Sequence, residues 1–347
     1  MKCNLLRTGS FTLATTIILC TFAHKELKAQ GAGNMLTKAN IEAALNAAYD
    51  QFKNIKEGKN ADYIPELAKV DPNIFGIALV MTDGTVYSKG DIDTKVAIES
   101  VSKVFVMASV IEDQGDQAVE DKIGTDATGL PFNSVIAVEY HHGKNINPLV
   151  NPGAIASASL IRGNDSTTKW KNIVQIESDF AGTPLSVNWP VYVSEASSNQ
   201  HNQAIARLLQ SYDRMYFDPL QATDIYTKQC SLNVNAKDLA VMAATLANGG
   251  LNPVTRKKVV SPKTSMCTLA VMATAGLYEN TGTWLYHAGL PAKSGVGGGL
   301  LAVCPGKFGI AVVSPPLDEA GNSVKAQKVI QFVVEKLGVN PYLVNPK

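Results

Sequence analysis

The sequence predicts an α+β protein on three observations. Apolar, β-rich runs lie near both ends of the chain, helical periodicity fills the middle, and 46% of the 347 residues are hydrophobic, enough for a large core. Charged residues make up only 18%, too few for a disordered chain. Taking the elements in order, Leu36, Ile41, Ala44, Leu45, Ala48 and Phe52 recur at helical spacing within Asn34 to Ile55, with Thr37 as the cap. In IFGIALVMTDGTVYSKGD, two strand-like runs flank Asp83-Gly84, a dipeptide that tolerates positive φ in a tight hairpin. From Ser102, the positions Val104, Phe105, Ala108 and Ile111 describe a helix ending near Gly115, and Ser100 stands at or just before its first turn. Asn235 to Asn248 reads as a helix with an Asn cap, Asp238 in its first turn and Gly249-Gly250 to stop it. GLLAVCPGKFGIAVVSPP supplies two more strands around Pro305-Gly306, and Lys325 to Leu337 a closing helix. Strands near both ends with helices between them imply one antiparallel sheet flanked by helices with a helical subdomain inserted. The sheet part is expected from about residues 35–98 and 285–347 and the helical part from about 100–280, with 31–347 forming a single domain.

Composition excludes several function classes. Lys plus Arg number 31 against 30 for Asp plus Glu, so no positive field exists to neutralise a nucleic-acid backbone. The five cysteines form no Cys-x-x-Cys pair and the five histidines no His-Glu-x-x-His, so neither a metal site nor a disulfide framework is expected. The adjacent His141 and His142 read as solvent-facing loop residues. Lys2 and Arg7 precede an apolar run, Phe11 to Ala23, and then the polar HKELKAQGAG, the order of an export signal cleaved near Ala29 or Gln30. The run has about 13 residues against the roughly 20 that a stable membrane span needs. A lipoprotein anchor on Cys20 is disfavoured by Leu19, which stands where a small residue is wanted. The protein is therefore expected to be periplasmic or secreted.

Two short motifs carry candidate chemistry. Ser100-Val101-Ser102-Lys103 places a hydroxyl and an amine on one helix face. A serine attacks at neutral pH only with such a neighbour, and a lysine accepts its proton only if burial or positive potential lowers its own pKa. A plain helix cap is the alternative. The same spacing recurs at Ser166 and Lys169, but there within the polar stretch RGNDSTTKW, which shows no apolar face. The second motif, Lys293-Ser294-Gly295 in AKSGVGGGLLAVCP, suits an oxyanion donor ahead of an apolar strand, or else a Gly-rich turn. Serine-x-x-lysine early and lysine-serine-glycine on a late strand is the order found in penicillin-recognising serine acyl-transfer enzymes.

Around these motifs the chain resembles the serine-dependent glutaminases, amidases with a β-lactamase and penicillin-binding-protein-like fold. The likeness runs through six blocks between residues 61 and 324: ADYIPELAKVDP, ESVSKVF, NPLVNPGAI, SEASSNQHNQAIA, YTKQCSLNVNAKDLAVMAATLANGGLNPVT and GLPAKSGVGGGLLAVCPGKFGIAVVSPPLDEAGNSV. The resemblance implies Ser100 as nucleophile and Lys103 as its proton acceptor. It implies Tyr226 and Tyr278 as partners in the proton relay, and the backbone N–H groups of Ser100 and Val296 as the oxyanion hole. It also implies Glu195 as the carboxylate that holds the substrate α-amino group, with Tyr63, Asn151 and Asn202 as polar contacts to the amino-acid head. Read singly, these residues are a core aromatic, turn asparagines and a solvated glutamate.

The implied reaction converts L-glutamine and water to L-glutamate and ammonia through a γ-glutamyl-serine ester, with no metal or organic cofactor. The resemblance further implies a homodimer or homotetramer. Three departures stand out. Glu99 occupies a position usually held by glutamine, Pro152 one usually held by alanine, and Asp126-Ala127-Thr128 replaces a Glu-Pro-Ser stretch. A carboxylate at position 99 is expected to act on the pKa of Lys103. The rival readings are a β-lactam-recognising serine hydrolase on the same fold and a catalytically silent glutamine-binding relative.

Overall fold

Seven strands are present among residues 36–344, which the computed structural model describes: β1 (Gly76–Met81), β2 (Val86–Gly90), β3 (Val96–Ala97), β4 (Asn233–Val234), β5 (Ala292–Ser294), β6 (Gly299–Cys304) and β7 (Phe308–Val313). The export segment, with Cys3 and Cys20, lies outside the described residues. Five strands form one antiparallel sheet in the order β2-β1-β7-β6-β5, so the two ends of the chain meet at β1 and β7. Val80 pairs with Val86 across the hairpin, and Gly84 turns it at φ +92°.

The sheet is apolar on both faces, and side-chain alternation divides the core. Ala78, Val80, Leu301, Val303, Ala311 and Val313 pack with Leu239, Ala243 and Leu246 of the helix Ala236–Ala247. Ile77, Leu79, Leu300, Ala302, Ile310 and Val312 pack with the helices Lys38–Phe52 and Val324–Leu337. Each buried aliphatic side chain contributes about 1.5–3 kcal/mol. The helix Ala236–Ala247 lies so close to β7 that a Cβ on Gly309 would come within 2.2 Å of the Ala244 nitrogen.

The expected caps are present. Thr37 accepts from the Asn40 N–H, and Asn235 with Asp238 forms a reciprocal capping box. Between β3 and β4 the chain is mainly helical. Ser166 corrects an expectation: it opens the amphipathic helix Ser166–Ala181, whose buried face includes Ile173 and Phe180. Its Lys169 amine donates to the carbonyl oxygens of Ser159 and Ile161, closing the end of the helix Asn151–Leu160, and the Ser166 hydroxyl donates to Gln221 instead.

On the same helix Glu177 is 0% exposed, and neither carboxyl oxygen has a hydrogen-bond partner among the described residues. Burial drives its pKa well above the ordinary carboxylate range, so the side chain is a neutral acid. A carboxyl whose proton is held above its unfolded pKa supports the fold below that value and loses the contribution as pH rises. Glu177→Met therefore stabilises the protein by about 1–3 kcal/mol more at pH 8 than at pH 5, measured by urea unfolding. An equal gain at both values contradicts a buried acid.

Candidate active site

Ser100 lies in a single 3-10 turn, Glu99–Val101, that runs directly into the buried helix Ser102–Gln114. Entry to this turn is strained, because Glu99 adopts φ +52°, a left-handed conformation that a glutamate does not favour. Gly295 and Gly297 leave room for it. A Cβ at Gly295 would lie 2.6 Å from the Ile98 carbonyl oxygen, and one at Gly297 would lie 2.2 Å from that of Ala97. Between these glycines, the Gly295 N–H donates to the Gly299 carbonyl and the Gly298 N–H to that of Gly295. This turn sets Val296 on the cavity wall beside Ser100.

A cavity of about 290 Å³ gathers Tyr63, Ser100, Asn151, Glu195, Asn202, Tyr226 and Val296. Lys103 and Tyr278 stand behind them. Lys103 is 1% exposed; its amine donates to Asn151 Oδ1 at 2.6 Å and lies 5.7 Å from the ring centres of both Tyr226 and Tyr278. Burial lowers its pKa to about 8, far below that of an ordinary amine, so about a tenth of it is unprotonated at pH 7 and about half at pH 8. The Tyr226 hydroxyl donates to the same Asn151 oxygen at 3.1 Å, and Asn151 Nδ2 donates to Asn202 Oδ1 at 3.0 Å. Asn151 thus ties the lysine, a tyrosine and the far wall together.

Asn151 is fixed in turn by its own N–H, which donates to the Phe132 carbonyl at 2.7 Å. A tight approach accompanies it, because a Cβ at Gly153 would come within 2.1 Å of the Asn147 carbonyl oxygen. Pro152 falls in the first helical turn, where no intrahelical N–H is required, so this departure is accommodated.

Tyr278 also has a left-handed backbone, φ +55°. Its hydroxyl neighbours Ser100 and has no hydrogen-bond partner among the described residues. Burial pushes the pKa of both Tyr226 and Tyr278 upward, so both remain phenols that can donate. Glu195 is held near pKa 7, chiefly by burial. Tyr63 is 60% exposed and forms the rim; partial desolvation, and after it the neighbouring carboxyl groups, oppose its ionisation.

Phe132 and Asn199 escaped the sequence reading, whereas Lys293 was read there only as part of a motif or turn. Phe132 lines the cavity and packs on Tyr278, with ring centres 4.8 Å apart. Asn199 lines it too, and its place between Glu195 and Asn202 at helix-like spacing was an available signal. Lys293 is fully buried with its amine 4.0 Å from the Tyr278 ring centre, donating to the Ser294 carbonyl. Burial, with Lys103 nearby, drives that amine well below its ordinary pKa. The Ser294 hydroxyl donates to Asn322 Oδ1, pinning β5 to the loop that precedes the last helix.

An antiparallel sheet backed by terminal helices, with a Ser-x-x-Lys turn and a Lys-Ser-Gly strand meeting at its edge, defines a β-lactamase-like serine and lysine architecture. The glutaminase family profile matches residues 58–342. A glutaminase of Colwellia psychrerythraea is 53% identical over 300 residues, 86% of this chain and 96% of the relative. One of Escherichia coli is 49% identical over 308 residues, 89% and 99% of the two chains. Among solved structures, one described as a probable glutaminase superposes with a TM-score of 0.87 at 50% identity, covering 88% of this chain and 99% of its own. Another, Mglu in its glutamate form, gives 0.84 at 33% identity, covering 89% and 72%. The chain belongs to the glutaminase family.

Proposed function

We propose that the protein hydrolyses L-glutamine to L-glutamate and ammonia through a γ-glutamyl ester on Ser100. The observation that carries this reading is the convergence, on one cavity, of Ser100 and Glu195, with a lysine of lowered pKa behind them. Unprotonated Lys103 accepts the Ser100 proton as Oγ attacks the side-chain carboxamide carbon. The N–H groups of Ser100 and Val296 hold the developing oxyanion, each such donor contributing about 2.7–4 kcal/mol. The C–N bond breaks as the proton returns to nitrogen by way of Lys103 and the two tyrosine hydroxyls, and ammonia leaves. Water then attacks the ester along the same path and restores Ser100.

Glu195 takes the α-ammonium, while Tyr63, Asn151 and Asn202 meet the rest of the amino-acid head. These contacts support glutamine over a β-lactam, because the β-lactam nucleus itself carries no α-ammonium for Glu195 to hold. Purified residues 31–347 are expected to release ammonia from glutamine. Acylation by a chromogenic β-lactam without ammonia from glutamine would overturn the assignment.

No helix among the described residues is long and apolar enough to cross a membrane. The basic and apolar leader supports export to the periplasm or medium, and the family supports a homodimer or homotetramer. Amino-terminal sequencing of exported protein and its native mass check the two points.

A further inference from the structure

Glu99 has no role in the reaction as derived above, yet it lines the same cavity as Ser100 and Glu195. It is 3% exposed, and its side chain runs along Gly295 and Gly297, whose added Cβ atoms would lie 3.2 Å and 3.3 Å from Glu99 Cβ and Cγ. Its carboxyl lies within hydrogen-bond reach of the Glu195 carboxyl. Glu99 Oε1 and Glu195 Oε1 each lack any donor from the other described residues. Two carboxylates cannot hydrogen-bond to each other, since both only accept; one proton between them resolves the contact. Glu99 holds this buried place on a strained left-handed backbone, φ +52°.

We propose that Glu99 is a positioning residue held as a neutral carboxylic acid, which donates its proton to the Glu195 carboxylate and leaves the ammonium subsite with one negative charge. This rests on the reading of Glu195 as the ammonium acceptor. One charge matches the single positive charge of the substrate head. The donated proton also fixes the orientation of Glu195, as a second carboxyl does in other proton-sharing pairs.

The groups that face Glu99 are Glu195, Lys103, Tyr63, Tyr278 and Cys230. Deep burial of Tyr278 and Cys230, and partial desolvation of Tyr63 beside the carboxyl groups, keep the two phenols and the thiol neutral, so the charges it meets are those of Glu195 and Lys103. Burial and the Glu195 charge both hold the Glu99 proton well above the usual carboxylate range. Loss of that proton at alkaline pH adds a second negative charge beside Ser100. This opposes the oxyanion and draws a proton back onto Lys103, whose pKa such a charge raises.

Glu99→Gln tests the idea, because the amide fills the same volume and donates to Glu195 but cannot ionise. The alkaline fall of kcat/KM in the wild-type protein is expected to move up by about one pH unit or more in Glu99→Gln. Superimposable profiles would overturn the proposal. Difference infrared spectra of Glu99→Gln against wild type are expected to show one protonated-carboxyl C=O band missing, with the Glu177 band cancelling. Absence of that difference would overturn it as well. The infrared comparison needs no turnover. Repeated in a Ser100→Ala background, it separates failure of this proposal from failure of the nucleophile assignment.

Discussion

Ser100→Ala is expected to lower the rate of ammonia release from glutamine by about 10⁴-fold or more, because it removes the hydroxyl that stands one helical turn before Lys103 on the cavity wall. The alternatives in the cavity are poor. Burial pushes the Cys230 thiol well above its ordinary pKa, and the Tyr226 hydroxyl is engaged with Asn151. Stability is expected to change by no more than about 1 kcal/mol, since one hydroxyl is removed from a site framed by backbone. Thermal unfolding and a single-turnover assay read the two effects separately. Retained turnover in folded Ser100→Ala protein would exclude Ser100 as the nucleophile.

Lys103→Arg is expected to cost about 10²–10⁴-fold in kcat, the range for removal of a positioned proton acceptor. Arginine retains a positive charge but cannot give up its proton near neutral pH, so it cannot receive one from serine. Lys103→Met keeps the apolar stem and removes the charge, and a comparable loss is expected there. The pair of variants therefore separates base chemistry from charge. Recovery of activity in the arginine protein would mean that the cation alone suffices.

The wild-type pH profile supplies a further check. A lysine with a pKa lowered to about 8 becomes a competent base as pH rises, so kcat/KM should climb through that value. Both variants should lack this limb. If Lys103→Met retained it, another group would be the acceptor.

The sheet and its covering helices were legible because their signals are local. The fully buried runs GLLAVC and FGIAVV are bounded by a Pro-Gly turn, and the capping box of Asn235 and Asp238 is written within four residues. The strands β3 and β4 were not legible. Each has two residues, and their partners lie far apart in sequence, so only the finished fold brings Val96 to Val234. The polar stretch at Ser166 misled because its apolar residues begin only after the first turn, at Trp170 and Ile173.

For the site, the residues implied by the matched blocks do meet: seven line one cavity, and Lys103 and Tyr278 back it. Their strain was invisible. Neither glutamate nor tyrosine asks for positive φ, so the conformations of Glu99 and Tyr278 are imposed by the glycine turn and the packing around them. Lys293 was singled out as part of a turn and not as a buried amine. Its seat over the Tyr278 ring follows from the pairing of Lys293 with Leu301 across β5 and β6, which the sequence does not display.

Mass spectrometry of protein treated with an electrophilic glutamine mimic decides whether the ester chemistry assigned to this cavity is correct. The expected result is one adduct per chain, located by peptide mapping on the oxygen of Ser100 and absent from Ser100→Ala. An adduct on any other side chain, or none in folded protein that still releases ammonia from glutamine, would contradict it.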